Sequence, residues 1–242
     1  TIGARTFESN HRGLGPMTFH YVWLAWSSAF LIPWMLLYAL YPQHRTAMWR
    51  TSLFMSLFGL TEPLFVPAYW NPPSLFELAQ RTGFDIESFI FAFALGGVGA
   101  VLYNGITGRE MAPTDDCERR HPRHRLHRIA LLTTFVAFPI LYVLPWNVIY
   151  ASITAMIVGT SAGLLCRPDL VRKTWVGGLL FLGLYTVFLL GLKWSAPGYI
   201  ETVWNLPALS GILVSGLPLE ELLFGLAFGL YWAGTYEHFA WL

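Results

Sequence analysis

Two stretches of this chain resemble one another at an offset of 133 positions: FDIESFIFAFALGGVGAVLY at residues 84–103 and LPLEELLFGLAFGLYWAGTY at residues 217–236. Glu87 aligns with Glu220, and aromatic residues recur at matching places further along. Each stretch predicts an apolar helix that begins with carboxylates. A charged side chain at the centre of a bilayer costs roughly 2.5–3.5 kcal/mol on insertion scales, so acids in such helices indicate a functional site.

The composition is that of a membrane protein. Of 242 residues, 55% are hydrophobic and 12% are charged, against roughly 25% charged in a soluble domain. Apolar runs of about 20 residues indicate transmembrane helices. The predicted fold class is therefore an all-α membrane protein with seven transmembrane helices, at residues 17–41, 51–68, 84–105, 129–145, 148–166, 174–193 and 209–236.

The resemblance between the two stretches extends upstream. The sequence WNPP at residues 70–73 precedes the first, and WNLP at 204–207 precedes the second. We therefore predict two parallel three-helix repeats joined by one linking helix, an arrangement that places a pocket between the halves. The first repeat comprises residues 1–107, the second comprises 148–242, and a basic loop with the linking span occupies 108–147.

Lysine and arginine counts predict the orientation of the chain. Segments on the side of the N-terminus carry 4 of these residues and those on the opposite side carry 11. By the positive-inside rule the N-terminus lies outside and the C-terminus is cytoplasmic. We expect a multi-pass protein of the cell inner membrane whose partner is the lipid bilayer. A net charge of +1 argues against a nucleic-acid partner.

The residues 115–128 contain histidines, aspartates and Cys117, but their spacing matches no zinc pattern, and a solvated loop is the prediction there. Cys117 and Cys166 fall in or beside cytoplasmic segments, where disulfides are rare, and free thiols are expected. No apolar signal-peptide core precedes residue 17, so the first span is expected to direct insertion. No metal site is predicted.

Glu220 and Glu221 follow Pro218, a residue that favours the first position of a helix. The helix N-terminus favours the anion by roughly 0.3–1 kcal/mol, whereas burial among apolar side chains favours the neutral form more strongly. A neutral glutamic acid, the form that a general acid requires, is therefore predicted. The alternative is that Glu220 only complements the helix dipole at a wet interface.

The first stretch has Asp85, Glu87 and Ser88 at the corresponding place, so Ser88 replaces the second glutamate. Asp85 is expected to be an N-cap, which leaves Glu87 as the candidate site residue. Glu62, which precedes Pro63, is either a further acid at the same level or an interfacial helix end.

Aromatic residues follow the acids in both stretches. They are either packing residues or the lining of a cavity, where their faces can stabilise a carbocation. The residues predicted to contact a substrate are Phe91, Phe224, Phe228 and Trp232. The sequence has no glycine-rich loop for a dinucleotide and no Gly-x-Ser-x-Gly motif for a serine nucleophile. The seventh span has no lysine that could form a Schiff base with retinal, so no cofactor is predicted.

The sequence PLEELLF at residues 218–224 resembles the Pro-x-Glu-Glu-x-x-Phe motif of the lycopene cyclase domain family. Two three-span units joined by an extra span also resemble the fused form of that family. The resemblance implies a redox-neutral cyclisation of a linear carotenoid. An acid protonates the end group, a neighbouring double bond attacks the cation, and a base removes a proton.

By this resemblance Glu220 and Glu221 are the acid and base, in either order, with Glu87 their partner from the other half. Ser88 departs from the motif, which leaves open an altered product or a first half kept for structure. Three alternatives remain: a carotenoid hydratase, a non-catalytic carotenoid-binding or structural subunit of a membrane complex, and a proton-coupled transporter.

Overall fold

The computed structural model of the chain describes residues 19–242 and is almost entirely helical. The predicted N-terminal orientation and the role of residues 1–16 therefore concern a segment outside the described residues. The α-helices of the described part are α1 Val22–Ala29, α2 Leu31–Leu40, α3 Arg45–Ser56, α4 Glu62–Phe65, α5 Leu78–Thr82, α6 Ile86–Thr107, α7 Asp116–Arg119, α8 His127–Tyr142, α9 Val148–Cys166, α10 Val171–Ser195, α11 Tyr199–Val203 and α12 Leu219–Ala240.

Two of the predicted spans are interrupted helices. The first is divided into α1 and α2 at Phe30, because Pro33 has no N–H to donate to the carbonyl four residues earlier. The second is not one helix, since α3 continues as the 3-10 helix Leu57–Thr61 and then as α4. Pro63 lies in the first turn of α4, where a missing N–H is tolerated, and Glu62 begins that turn.

Among the described residues, four helical stretches are long and apolar enough to cross a membrane: α1 with α2 (Val22–Leu40), α6, α9, and α10 with the 3-10 turn before it (Pro168–Ser195). Helix α8 has only 16 residues, and α12 has 22 residues with three glutamates. Large apolar side chains on the outer surface, such as Val143, Leu165 and Val187, are exposed. Such a surface suits contact with lipid.

Helix α12 packs against α6, α9 and α10. Its contact with α10 is close, because a Cβ atom at Gly229 would lie 3.0 Å from both the Cα and the carbonyl oxygen of Gly178. On the other side of the molecule, a Cβ atom at Gly96 of α6 would lie 2.7 Å from the carbonyl oxygen of Thr51 in α3. Small residues at these contacts are typical of helix packing in membranes.

The loops that precede α6 and α12 pair with one another. The Asn71 N–H donates to the Val203 carbonyl oxygen at 2.8 Å, and the Asn205 N–H donates to the Tyr69 carbonyl oxygen at 2.9 Å. These two loops contain the WNPP and WNLP sequences, which therefore meet at one end of the helix bundle.

A short antiparallel hairpin precedes α12. Strands β1 Leu213–Val214 and β2 Leu217–Pro218 pair across a two-residue turn, and both turn residues, Ser215 and Gly216, have positive φ, as the hairpin turns of this length require. The first part of the span predicted at residues 209–236 is therefore an exposed segment and a hairpin, not a helix. Helix α12 begins at Leu219, directly after Pro218 as predicted.

Candidate active site

A cavity of about 420 Å³ lies between the helices of the two halves of the chain. Its wall contains two carboxyl groups, those of Glu62 and Glu221, and a few hydroxyl groups. Most of the remaining surface is aromatic, contributed by Trp23, Phe58, Phe65, Trp70, Phe91, Phe135, Phe138, Tyr185, Phe188, Trp204, Phe224, Phe228, Tyr231 and Trp232. Residues from both predicted repeats line this cavity, and so do residues of α8 in the linking segment.

Glu221 is held at the cavity wall by three hydrogen-bond donors. Its Oε1 atom accepts hydrogen bonds from the Tyr69 hydroxyl and from Trp204 Nε1, the latter at 2.7 Å. Its Oε2 atom accepts from the Tyr185 hydroxyl at 2.6 Å. The side chain is buried, so its orientation is determined by three rigid aromatic residues from separate segments.

Glu220 points away from this cavity although it is the neighbouring residue. Its Oε1 atom accepts from the Tyr150 hydroxyl at 2.6 Å and from the Ser210 backbone N–H at 2.8 Å. It is buried, and its Oε2 atom has no hydrogen-bond partner among the described residues. The structure therefore places the two adjacent acids of the motif in different surroundings.

Glu87 also lies outside the cavity. It is fully buried, and its Oε1 atom accepts from the Leu75 backbone N–H at 2.7 Å, so it ties the preceding loop to the start of α6. Asp85 is the N-cap of α6, as expected, because its side chain accepts from the Ser88 N–H at 2.5 Å. These two acids thus contact backbone groups of the loop and helix.

Glu62 is the second carboxyl group of the cavity. Its Oε2 atom accepts from the Ser88 hydroxyl at 3.0 Å, and its buried Oε1 atom has no partner among the described residues. Ser88 occupies the position that aligns with Glu221. Where the second half has a glutamate, the first half has a serine that binds a glutamate from α4.

All four aromatic residues predicted to contact a substrate line the cavity: Phe91, Phe224, Phe228 and Trp232. Phe91 faces Phe188 with ring centroids 5.7 Å apart and Trp23 at 5.1 Å. Phe228 packs against Phe224 and Trp232, each at 5.9 Å. The predicted aromatic residues of α6 and α12 therefore line the same cavity.

Several cavity residues had no specific signal in the sequence. Tyr185 lies inside an apolar helix, and nothing in that pattern marks it. Trp204 belongs to the WNLP sequence, which indicated the repeat and not a partner for Glu221. Tyr69, next to the WNPP sequence, could have been found only by noticing that the paired loops must bring it to α12.

One comparison with known proteins yields a family. Residues 147–239 match lycopene cyclase, a segment that includes α9, α10, α12 and Glu221. No curated protein and no solved structure matches the chain. The matched segment supplies Tyr185, Trp204 and the four aromatic residues of α12 that line the cavity. The resemblance seen in the PLEELLF sequence is confirmed, because residues 218–224 lie within the segment that matches the lycopene cyclase family.

Proposed function

We propose that this protein cyclises an end group of a linear, lycopene-type carotenoid inside the membrane. The observation that carries the proposal is a cavity whose walls are apolar and aromatic except for Glu62, Glu221 and a few hydroxyl groups. A hydrocarbon offers nothing for a polar clamp to bind, so its site needs apolar walls and only the groups that react. The volume of about 420 Å³ lies in the range of small-molecule sites, roughly 300–1,000 Å³.

The hydrogen bonds of the two acids support different roles. Glu221 accepts from three donors, which suits a carboxylate because that form only accepts. Glu62 lines the cavity and has a single hydroxyl partner, and its Oε1 atom has no partner among the described residues, which leaves that oxygen able to carry and donate a proton. In this proposal Glu62 is the general acid and Glu221 is the base.

The reaction is balanced without a redox partner. The O–H of Glu62 adds its proton to the terminal double bond of the substrate, which leaves a tertiary carbocation. A neighbouring double bond attacks that cation and forms the ring C–C bond, and Glu221 removes a proton to leave a ring double bond. One proton enters and one leaves, so the product is an isomer of the substrate.

The cavity wall supports this chemistry in two ways. The ring faces of Phe91, Phe224 and Phe228 can stabilise a cation electrostatically. Apolar walls also exclude water, which would otherwise trap the cation. Glu220 and Glu87, the other predicted acids, take positioning roles in this scheme, because each binds a backbone N–H of a loop beside the site.

The wider architecture remains part of the proposal. We place two repeats at residues 1–107 and 148–242, with 108–147 between them, seven spans and a cytoplasmic C-terminus. The antiparallel bridge between Trp70 and Trp204 supports the repeat relationship, because the two residues hold equivalent places in the WNPP and WNLP sequences.

The test is expression in a lycopene-accumulating host. The wild-type protein is expected to yield a ringed product of unchanged mass. Glu62→Gln and Glu221→Gln should each abolish the product while the protein still inserts. Glu201→Gln, at an exposed glutamate of α11, is the matched control. Normal cyclisation by both cavity variants would show that the acid assignment is wrong.

Hydration of the same cation is the second candidate. Hydroxyl groups of Thr61, Thr134 and Ser152 line the cavity, and polar groups of this kind can hold a water molecule. The mass of the product separates the two reactions, since hydration adds one water and cyclisation adds nothing. Purified protein that retains unchanged pigment without turnover would indicate a binding subunit instead.

A further inference from the structure

A group of histidine and cysteine side chains lies at the opposite end of α12 from Glu221, about 25 Å away along the helix for a separation of 17 residues. His124 Nδ1 lies 3.3 Å from Cys166 Sγ, and His127 Nδ1 lies 3.6 Å from the same sulfur. The three ligand atoms all lie within 4.8 Å of one another. His124 and Cys166 are buried.

The two sulfur–nitrogen distances match those of a tetrahedral metal site. With Zn–S near 2.3 Å and Zn–N near 2.0–2.1 Å, a sulfur and a nitrogen bound to one zinc ion are about 3.5 Å apart. Both measured sulfur–nitrogen distances are close to that value. The expectation of a merely solvated loop at residues 115–128 is wrong for His124, because that side chain is buried.

The surroundings orient the ligands. His124 uses Nδ1 toward the sulfur, while its Nε2 lies 2.9 Å from Glu118 Oε1. A carboxylate that binds the far nitrogen of a histidine is the usual second partner of a metal-bound imidazole.

His127 and a fourth side chain complete the group. The His127 ring stacks on Trp241 with centroids 3.9 Å apart, which restrains its orientation. His238 lies beside it, at 4.6 Å between ring centroids. The buried His238 Nε2 atom has no hydrogen-bond partner among the described residues. His238 is not among the residues whose ligand atoms lie within 4.8 Å of one another, so its side chain would have to rotate to reach an ion held by the other three.

Two arginines near the site are paired with carboxylates. The buried guanidinium of Arg167 pairs with Asp169 at 2.7 Å, and Arg123 pairs with Glu118. If a metal ion binds here, the Cys166 thiolate would place one negative charge next to it. The free thiol of Cys166 loses its proton when the metal binds, and that proton leaves to solvent.

We propose that His124, His127 and Cys166 bind one Zn²⁺ ion, with His238 as the fourth ligand. Two to three imidazoles with one thiolate in a tetrahedral arrangement are typical of zinc. The ion would connect the segment before α8 to the ends of α9 and α12. This site is separate from the cavity and does not depend on the proposed cyclisation.

The test uses the full-length protein in detergent, treated with chelator, incubated with zinc chloride alone and then freed of excess metal. Elemental analysis is expected to find one zinc per chain. Cys166→Ser and His124→Ala should each lose it. Cys117→Ser and His121→Ala are matched controls, because both residues are exposed in the same basic segment, and both variants should retain the metal. Glu118→Gln should weaken zinc affinity by roughly 10–100-fold.

Cobalt provides a readout that does not need a stable variant. Co²⁺ bound to the wild-type protein should show a thiolate-to-cobalt charge-transfer absorption band, and zinc should displace it. Wild-type protein without stoichiometric zinc and without that band would overturn the proposal. So would a folded Cys166→Ser variant, judged by its thermal unfolding, that retains a full equivalent of zinc.

Discussion

Replacing Glu221 by leucine or by glutamine separates its structural role from its chemical role. Leucine has similar size but leaves the Tyr69 hydroxyl, the Tyr185 hydroxyl and Trp204 Nε1 without their acceptor. A buried polar group without a partner costs about 1–3 kcal/mol, so Glu221→Leu should lower the free energy of unfolding by about 3–9 kcal/mol. That loss is a large fraction of the 5–15 kcal/mol typical of a folded protein.

Glutamine should behave differently. Its carbonyl oxygen can still accept from Tyr69 and Trp204, and its amide group can donate to the Tyr185 hydroxyl, which accepts as well as donates. We therefore expect Glu221→Gln to cost only about 0.5–1.5 kcal/mol, the value of one ordinary hydrogen bond. Its cyclisation rate should nevertheless fall by roughly 10²–10⁴-fold, the usual contribution of a general acid or base.

Thermal unfolding in detergent measures the loss of stability expected for Glu221→Leu. A loss of about 3 kcal/mol corresponds to a drop in Tm of about 6–12 °C for a chain of this size. Glu201→Leu, at an exposed position, should stay within about 0.5 kcal/mol of wild type. If Glu221→Leu unfolds at the same temperature as Glu221→Gln, the three donors do not depend on this carboxyl group and the account of the site is refuted.

Two further predictions concern other buried polar groups. Lys173→Met should lower the free energy of unfolding by about 3–5 kcal/mol, because it leaves the buried Glu237 carboxylate, 2.9 Å from Lys173 Nζ, without its cation. Adding Glu237→Gln to this variant should recover part of the loss, as measured by thermal unfolding. Asp85→Ala should lower the free energy of unfolding by about 0.5–2 kcal/mol, because α6 loses its N-cap. Asp115→Ala removes an exposed N-cap and should lower the Tm far less; equal losses of Tm in the two variants would contradict this account.

Features that depend on one segment of chain were accessible from the sequence. Asp85 caps α6 because an aspartate before an apolar helix satisfies its free N–H groups. Pro218 marks the beginning of α12 for an equally local reason. The family resemblance likewise rested on seven consecutive residues, 218–224, which lie within the matched segment.

Features that depend on breaks in helices were harder to predict. The span expected at residues 51–68 is instead α3, a 3-10 turn and α4, and Pro63 lies in the first turn of α4, where a missing N–H is tolerated. That break places Glu62 on the cavity wall. The sequence left Glu62 open between a site acid and a helix end, and it proves to begin a short helix and to line the cavity.

The sequence by itself determined that apolar helices carry acids at their heads, that aromatic residues follow those acids, and that the chain resembles the lycopene cyclase family. Only the tertiary structure decided which acid faces the cavity. Adjacent helical residues point about 100° apart, so the packing of α12 turns Glu221 toward Tyr185 and Glu220 toward Tyr150. The histidine–cysteine group could not be predicted from the sequence either. Cys166 contacts His124 across 42 positions of chain, and only the packing of the helices brings the two residues together.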